Sequence, residues 1–214
     1  MMKTTVGWFV GLAFGLSGQV IFADTITGEL TFVKKASFAG VVYMNSVDGV
    51  AVPSIEGASV DQVDKMFTKK IVVAGTGGSV SFRNSDSIDH NIFSNDSDSG
   101  VKFDVGLMTP TGQKSVGVSW GENLLVRYGC KIHPKMKSYI FTSPTPYFQM
   151  LEFEKKVPRY TFSLEGVPSD LTKVSLTIPK YDTVTIELSV GESKQADVIR
   201  KGKKKAILQV SRAK

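Results

Sequence analysis

The stretch GCKIHPKM, residues 129–136, concentrates three side chains that could bind a metal ion. Cys130, His133 and Met136 lie close together in it, and Cys130 is the only cysteine of the 214-residue chain. The other histidine, His90, lies 40 residues before Cys130 in NSDSIDHNIFSND. Thiolate, imidazole and thioether groups are ligands of soft and borderline metal ions. The spacing therefore indicates a metal centre with one ligand from a distant segment and three from one loop.

This combination of donors suits copper. Two imidazoles and a thiolate in a trigonal plane, with a weak thioether as a fourth ligand, are typical of electron-transfer copper sites. Each residue alone has a simpler interpretation, because a buried cysteine is usually an inert small hydrophobe and a methionine usually packs in a core. A lone histidine is usually a surface or hydrogen-bonded residue. As a set they predict one type 1 copper ion bound by His90, Cys130, His133 and Met136.

The elements that must position these residues are strands. Apolar and polar residues alternate in ten short runs, separated by turn-forming clusters of Gly, Asn, Asp, Ser and Pro. In NLLVRYGC, residues 123–130, every second residue lies on one face, so Cys130 would end a strand. The turn after it contains Pro134. One segment, VDQVDKMF at residues 60–67, is a candidate helix. The pattern predicts an all-β chain built as a β-sandwich.

Three segments are predicted along the chain. Residues 1–23 have a basic start, an apolar stretch and a small residue before Asp24, as a secretory signal peptide has. The alternative is a membrane anchor, but the apolar stretch is short and no basic stop follows it. SPTPYF, residues 143–148, reads as a stiff connector between residues 24–144 and a smaller β domain at residues 145–214. We expect a periplasmic protein without stable membrane insertion after the signal is cleaved.

Composition narrows the classes of function. A single cysteine rules out an intramolecular disulfide in an exported chain. The net charge of +6 owes much to one run, RKGKKK at residues 200–205. A short basic run without interleaved aromatic residues does not favour a nucleic-acid partner. Lys131, Lys135 and Lys137 beside the ligand loop could attract an acidic redox partner, although Asp residues near His90 would make that end mixed in sign.

The segments NSDSIDHNIFSND, VKFDVGL and RYGCKIHPKMKSYIFTSPTPYF resemble a bacterial periplasmic cupredoxin. The similarity is to the plastocyanin-like group often labelled methylamine utilization proteins. It covers residues 60–148 well and residues 150–200 more loosely. It implies a cupredoxin-like Greek-key β-sandwich, the four copper ligands given above, and a hydrogen bond from Asn91 toward the cysteine loop. Only two residues separate His133 from Met136, fewer than in most small blue copper proteins.

Four functions fit these features to different degrees. The first is a carrier of single electrons between redox partners such as a cytochrome or a dehydrogenase. The second is a copper storage or delivery protein that uses the same ligands. The third, an enzyme, is disfavoured: a multicopper oxidase needs many more than two histidines, and no oxyanion motif accompanies Cys130 and His133. The fourth is a β-sandwich that binds protein or glycan without a metal.

Overall fold

The computed structural model describes residues 23–34 and 38–214, and all regular structure in these two ranges is β-strand. The predicted signal peptide lies outside the described residues except for Ala23. No helix in the described ranges is long and apolar enough to cross a membrane. The all-β prediction is confirmed. The described residues form seventeen strands, which are β1 (Ala23–Phe32), β2 (Ala39–Met44), β3 (Ala58–Val63), β4 (Met66–Phe67), β5 (Ile71–Ala74), β6 (Ser79–Asn84), β7 (His90–Asn95), β8 (Lys102–Met108), β9 (Gln113–Gly117), β10 (Leu125–Gly129), β11 (Lys137–Thr142), β12 (Phe148–Glu152), β13 (Arg159–Pro168), β14 (Lys173–Thr177), β15 (Val184–Glu187), β16 (Ser193–Arg200) and β17 (Lys203–Ala213).

Strands β3 to β11 form one β-sandwich, which we call the central sandwich. One sheet has the order β5-β11-β10-β7-β8 and the other has the order β4-β3-β6-β9. Two pairings, β3 with β6 and β5 with β11, are parallel, so the chain crosses over between them. Alternate residues of both sheets meet in one core, and its largest buried side chains are Phe82, Ile92, Met108, Tyr128 and Ile140.

The remaining strands form a second sandwich from both ends of the described chain, which we call the terminal sandwich. Its sheets have the orders β13-β1-β17-β16 and β12-β2-β14-β15. The first strand thus pairs with the last, with Thr25 opposite Ala213. Their buried faces meet in a core of twenty hydrophobic residues that includes Ile26, Leu30, Leu176 and Leu208. At its edge the buried Arg212 forms an ion pair with the buried Asp24.

The two sandwiches pack against each other through strands that are buried on both faces. Every residue of β2 and of β5 is buried. Val41 and Tyr43 of β2 contact Ile71, Val73 and Phe141 of the central sandwich in a third cluster. Strands covered on both faces are expected to be continuously apolar, which explains the unbroken runs AGVVYM and IVVA.

The strand pairing divides the chain differently from the sequence-based boundary between residues 144 and 145. Residues 23–44 pair with strands that follow residue 147, and none of the described pairings joins β1 or β2 to the central sandwich. Alternation shows which face of a strand is buried but does not show which strand lies beside it. The sequence therefore could not assign β1 and β2 to their sheets.

The predicted helix at residues 60–67 is wrong. The segment is the end of β3, a two-residue turn and β4, and Gln62 pairs with Phe67 across the hairpin. Asp64 and Lys65 have φ angles of 52° and 56°, which lie in the left-handed region used by tight hairpin turns. Val60 and Gln62 are both buried, as the two-residue period of a strand requires.

Candidate metal centre

The cysteine lies directly after β10, at one end of the central sandwich. Cys130 is 2% exposed and follows the buried Val126 and Tyr128 on the same face of the strand. The loop after it is closed by two backbone hydrogen bonds. Cys130 N–H donates to Met136 C=O at 3.3 Å, and Met136 N–H donates to His133 C=O at 2.9 Å. The loop therefore turns back within seven residues, which carries His133 toward the thiol.

Gly129 permits this tight return. A Cβ atom at this position would lie 2.9 Å from the backbone oxygen of Met136. That oxygen is the acceptor of the Cys130 N–H. A side chain at position 129 would push against the carbonyl that closes the loop. Sequence reasoning missed this role, because it depends on how closely two backbone segments approach.

The second histidine comes from the neighbouring strand. His90 is the first residue of β7, which pairs with β10 through Phe93 and Gly129 and with β8 through His90 and Met108. Its side chain is completely buried. Because both neighbouring strands hold β7, the ring of His90 is fixed by the sheet, whereas His133 is half-buried in a loop.

Three of the four predicted ligands meet at one point. The Nδ1 atoms of His90 and His133 are 3.2 Å apart, and Cys130 Sγ lies 3.8 Å from each of them. Ligand atoms that share one first-row metal ion, with bonds of about 2.0–2.3 Å and angles of about 110–120°, lie about 3.3–3.8 Å apart. The triangle therefore has the size that three ligands of a single ion require, and the residues fit the metal.

Met136 is the fourth predicted ligand. It lies in the same closed loop, and its side chain is 3% exposed. It lines a cleft of about 390 Å³ together with Cys130. Other residues around this cleft are Phe93, Arg127, Lys131 and Lys137. The thioether is therefore on the ligand loop and shielded from water.

A carboxylate lies behind His90. Asp86 Oδ2 is 2.7 Å from His90 Nε2, on the side of the ring away from Cys130. Burial raises the pKa of Asp86, but hydrogen bonds from the Lys65 N–H, from His90 and from the Asp64 N–H outweigh it and hold the pKa below its usual value. Asp86 is therefore an ionised carboxylate that accepts a hydrogen bond from the protonated Nε2 of His90, which leaves the lone pair of Nδ1 free to bind a metal.

The segment after His90 is tied to the cysteine loop in two ways. The backbone N–H of Asn91 donates to Cys130 Sγ at 3.4 Å. The side-chain amide of Asn91 donates to Asp104 Oδ1 at 2.7 Å and to Gly106 C=O at 2.9 Å. Asp104 in turn pairs with Lys131, the residue after the cysteine. The hydrogen bond expected of Asn91 thus comes from its backbone, and its side chain reaches β8.

Three hydrogen-bond donors favour the ionised form of Asp104. The Lys131 ammonium, the Asn91 amide and the Gly106 N–H all donate to its carboxylate and lower its pKa to about 2. The carboxylate is 42% exposed, so solvent screens the pair with Lys131. Asp104 therefore holds Asn91, Gly106 and Lys131 together at the solvent-exposed rim of the site.

Comparisons with known proteins show likeness in structure only. No protein-family model matches the chain, and no curated protein matches it. Amicyanin from Paracoccus versutus is 16% identical, with 53% of this chain and 97% of that chain covered at a TM-score of 0.36. A purple cupredoxin from Nitrosopumilus maritimus is 20% identical, with 40% and 99% covered at a TM-score of 0.35.

A third similar structure is a copper-containing nitrite reductase from Thermus scotoductus. It is 21% identical, with 45% of this chain but only 24% of that chain covered, at a TM-score of 0.35. The reductase is described as copper-containing and the Nitrosopumilus protein as a cupredoxin, and other similar amicyanin structures are described as Cu(I) forms. At these identities and TM-scores, the likeness carries no conclusion about the activity of this chain.

Proposed function

We propose that this protein binds one type 1 copper ion and carries single electrons between redox partners. The observation that carries the proposal is the triangle of His90 Nδ1, His133 Nδ1 and Cys130 Sγ, with sides of 3.2–3.8 Å. Two imidazoles and a thiolate at this spacing are the equatorial donors of electron-transfer copper sites. Met136 of the same loop would be the fourth ligand.

Bound copper would supply reversible one-electron chemistry, and the chain supplies the ligands and keeps them in place. Cys130 offers a thiolate whose sulfur accepts the Asn91 N–H, which stabilises its negative charge. His90 is held by β7 and by Asp86. Ligands fixed in this way change position little between the two oxidation states, as rapid electron transfer requires.

Burial favours a carrier over a storage or delivery protein. His90 is completely buried, and the side chains of Cys130 and Met136 are 2% and 3% exposed. A delivery protein must release its ion to a partner, which calls for ligands that a competing ligand can reach. Only His133 is partly accessible, and it offers an electron a short path from the surface to the metal.

The partner that we propose is an acidic redox protein, such as a cytochrome or a dehydrogenase, that contacts the ligand loop. Arg127, Lys131 and Lys137 line the cleft beside Cys130, and all three are exposed. Asp104 offsets the charge of Lys131, so the attraction rests on Arg127 and Lys137, and of the aspartates near His90, Asp96 is buried and Asp86 is hydrogen-bonded to His90. Electron-transfer rates with such a partner should fall as ionic strength rises.

We further propose that the protein acts in the periplasm. The basis is the signal-like sequence of residues 1–23, followed by a chain with a single, buried cysteine. Fusion of residues 1–23 to a reporter that is active only outside the cytoplasm tests this directly. A reporter that stays inactive would contradict the periplasmic location without affecting the copper proposal.

The first experiment is a Cu(II) titration of residues 24–214, followed by visible absorption and electron paramagnetic resonance. We expect an intense thiolate-to-copper band at one copper per chain that disappears on reduction and returns on oxidation. Cys130→Ala should abolish the band, and His90→Ala should weaken copper retention. Absence of a band, with the Cys130 thiol still reactive, would refute the copper site and favour a metal-free binding module.

A further inference from the structure

The buried ligand His90 has a defined neighbour at each ring nitrogen. Its Nδ1 faces His133 and Cys130, whereas its Nε2 lies 2.7 Å from Asp86 Oδ2. Because the ring is completely buried, water does not compete for Nε2. A carboxylate only accepts hydrogen bonds, so this contact requires the proton on Nε2 and leaves the lone pair on Nδ1.

Asp86 is itself fixed by the backbone of one turn and by the side chain of Asn84. Its Oδ1 accepts the Asp64 N–H at 2.6 Å, and its Oδ2 accepts the Lys65 N–H at 3.0 Å. Its own N–H donates to Asn84 Oδ1 at 3.0 Å. Asp64 and Lys65 form the turn between β3 and β4, and their left-handed φ angles direct both N–H groups toward the carboxylate. The carboxylate is therefore in place without any contribution from a metal.

We propose that Asp86 is a positioning residue of the metal centre. It selects the Nε2-protonated form of His90, aims Nδ1 at the point shared with Cys130, and ties this ligand to the β3–β4 turn. The inference rests on the proposed function, because it gives Asp86 a part in copper binding. Carboxylates that hold the far nitrogen of a ligating histidine raise the basicity of the ligand and fix its orientation.

The negative charge of Asp86 also distinguishes the two oxidation states of copper. A carboxylate hydrogen-bonded to a ligand attracts a doubly charged ion more strongly than a singly charged one. Asp86 should therefore stabilise Cu(II) more than Cu(I). Its loss should weaken Cu(II) binding by about 10–100-fold and should weaken Cu(I) binding less. Each tenfold difference between the two losses raises the reduction potential by about 59 mV.

If Asp86 only stabilised the β3–β4 turn, its substitution would have the same effect as another change that loosens this loop. Asp61 offers the matched control, because it holds the same loop without hydrogen bonding to a ligand. Its Oδ1 and Oδ2 accept the N–H and the hydroxyl of Ser85 at 3.1 and 2.7 Å. Asp61→Asn should loosen the loop, but the proton of His90 should stay on Nε2 and the ratio of Cu(II) to Cu(I) affinity should not change.

The test combines nitrogen NMR of the metal-free protein with copper affinities of the wild type, Asp86→Asn and Asp61→Asn. Imidazole nitrogen shifts report which ring nitrogen of His90 carries the proton. Competition with chelators gives the Cu(II) and Cu(I) affinities. We expect wild-type His90 to be protonated on Nε2 alone. In Asp86→Asn the proton should be shared with Nδ1 and Cu(II) affinity should fall at least tenfold.

Two results would overturn the inference. The first is a wild-type His90 that carries its proton on Nδ1, a measurement that needs neither copper nor a folded variant. The second is an Asp86→Asn protein that binds Cu(II) as tightly as the wild type does. An Asp61→Asn protein whose Cu(II) affinity falls as far as that of Asp86→Asn would have the same meaning. If the wild type binds no copper, the proposed function fails, but the proton on Nε2 still supports Asp86 as the residue that orients His90.

Discussion

The stability of the terminal sandwich should depend strongly on the ion pair between Arg212 and Asp24. Arg212 is 2% exposed and lies near the end of β17, and Asp24 is completely buried near the start of β1. The guanidinium donates to Asp24 Oδ2 from Nε at 2.9 Å and from Nη2 at 2.6 Å. It also donates to the carbonyls of Pro168, Ser169, Leu171 and Leu188.

Arg212→Met keeps the apolar part of the side chain and removes every one of these donors. The Asp24 carboxylate would then be a buried charge without its cation. Breaking a buried pair in this way costs about 3–5 kcal/mol. A typical domain has a free energy of unfolding of about 5–15 kcal/mol, so the loss is a large fraction of the total. With a urea dependence of about 3 kcal/mol per molar, the unfolding midpoint should fall by about 1–1.7 M.

Urea unfolding followed by circular dichroism measures this change. The double variant Asp24→Asn with Arg212→Met should lose less stability than the sum of the single variants, because it leaves no unpaired charge. Lys204→Met is the control. It breaks an ion pair with Asp197 whose partners are 43% and 51% exposed, so it should cost at most about 1 kcal/mol. A loss below about 1 kcal/mol for Arg212→Met would refute the reasoning.

Three further predictions concern the metal centre. Met136→Leu should retain copper and raise the reduction potential, because a weak donor is lost, whereas the control Met150→Leu in β12 should leave the potential unchanged; cyclic voltammetry measures both. Gly129→Ala should cost about 1–3 kcal/mol in urea unfolding and broaden the copper signal in paramagnetic resonance, because the new methyl meets the Met136 carbonyl at 2.9 Å. The pKa of Asp104 lies at about 2, below its usual value, so its pair with Lys131 adds stability above about pH 4 that is lost as the pH falls toward 2. Asp104→Asn should therefore flatten the acid limb of the unfolding curve, and an unchanged acid limb would contradict this.

Alternation along the chain was sufficient to predict an all-β protein. Each of the ten runs found in the sequence overlaps a strand of the structure. The failure at residues 60–67 has a specific cause. Val60, Val63 and Phe67 have the spacing of a helical face, but the buried Gln62 donates to the Arg83 carbonyl at 3.2 Å from within a strand. A buried polar residue satisfied by a distant partner gives no local signal.

The candidate site shows the same limit. Donor chemistry pointed to His90, Cys130 and His133, and the structure brings these three together. It did not point to Asp86, which reads in the sequence as one more aspartate of a polar loop. Nor did it point to Gly129. Asp86 acts through its contacts with His90 and the β3–β4 turn, and Gly129 acts through the close approach of the Met136 carbonyl. A single sequence does not show these distances.

The order of the strands along the chain also sets an order in which they can fold. Strands β3 to β11 are consecutive, so residues 58–142 contain every partner that the central sandwich needs. By contrast, β1 precedes the other strands in the chain but pairs with β13 and β17, which end at residues 168 and 213. Contacts this distant in sequence form slowly.

A chain that folds from its amino end would therefore bring His90, Cys130 and His133 together while β1 and β2 are still unpaired. The partners of β2, β12 and β14, are complete at residue 177, but one edge of β1 stays open to pairing with other chains until residues 203–213 are present. The eleven-residue strand β17 therefore covers the last open edge of β1, and a chain truncated before it would expose that edge after residues 58–142 had folded.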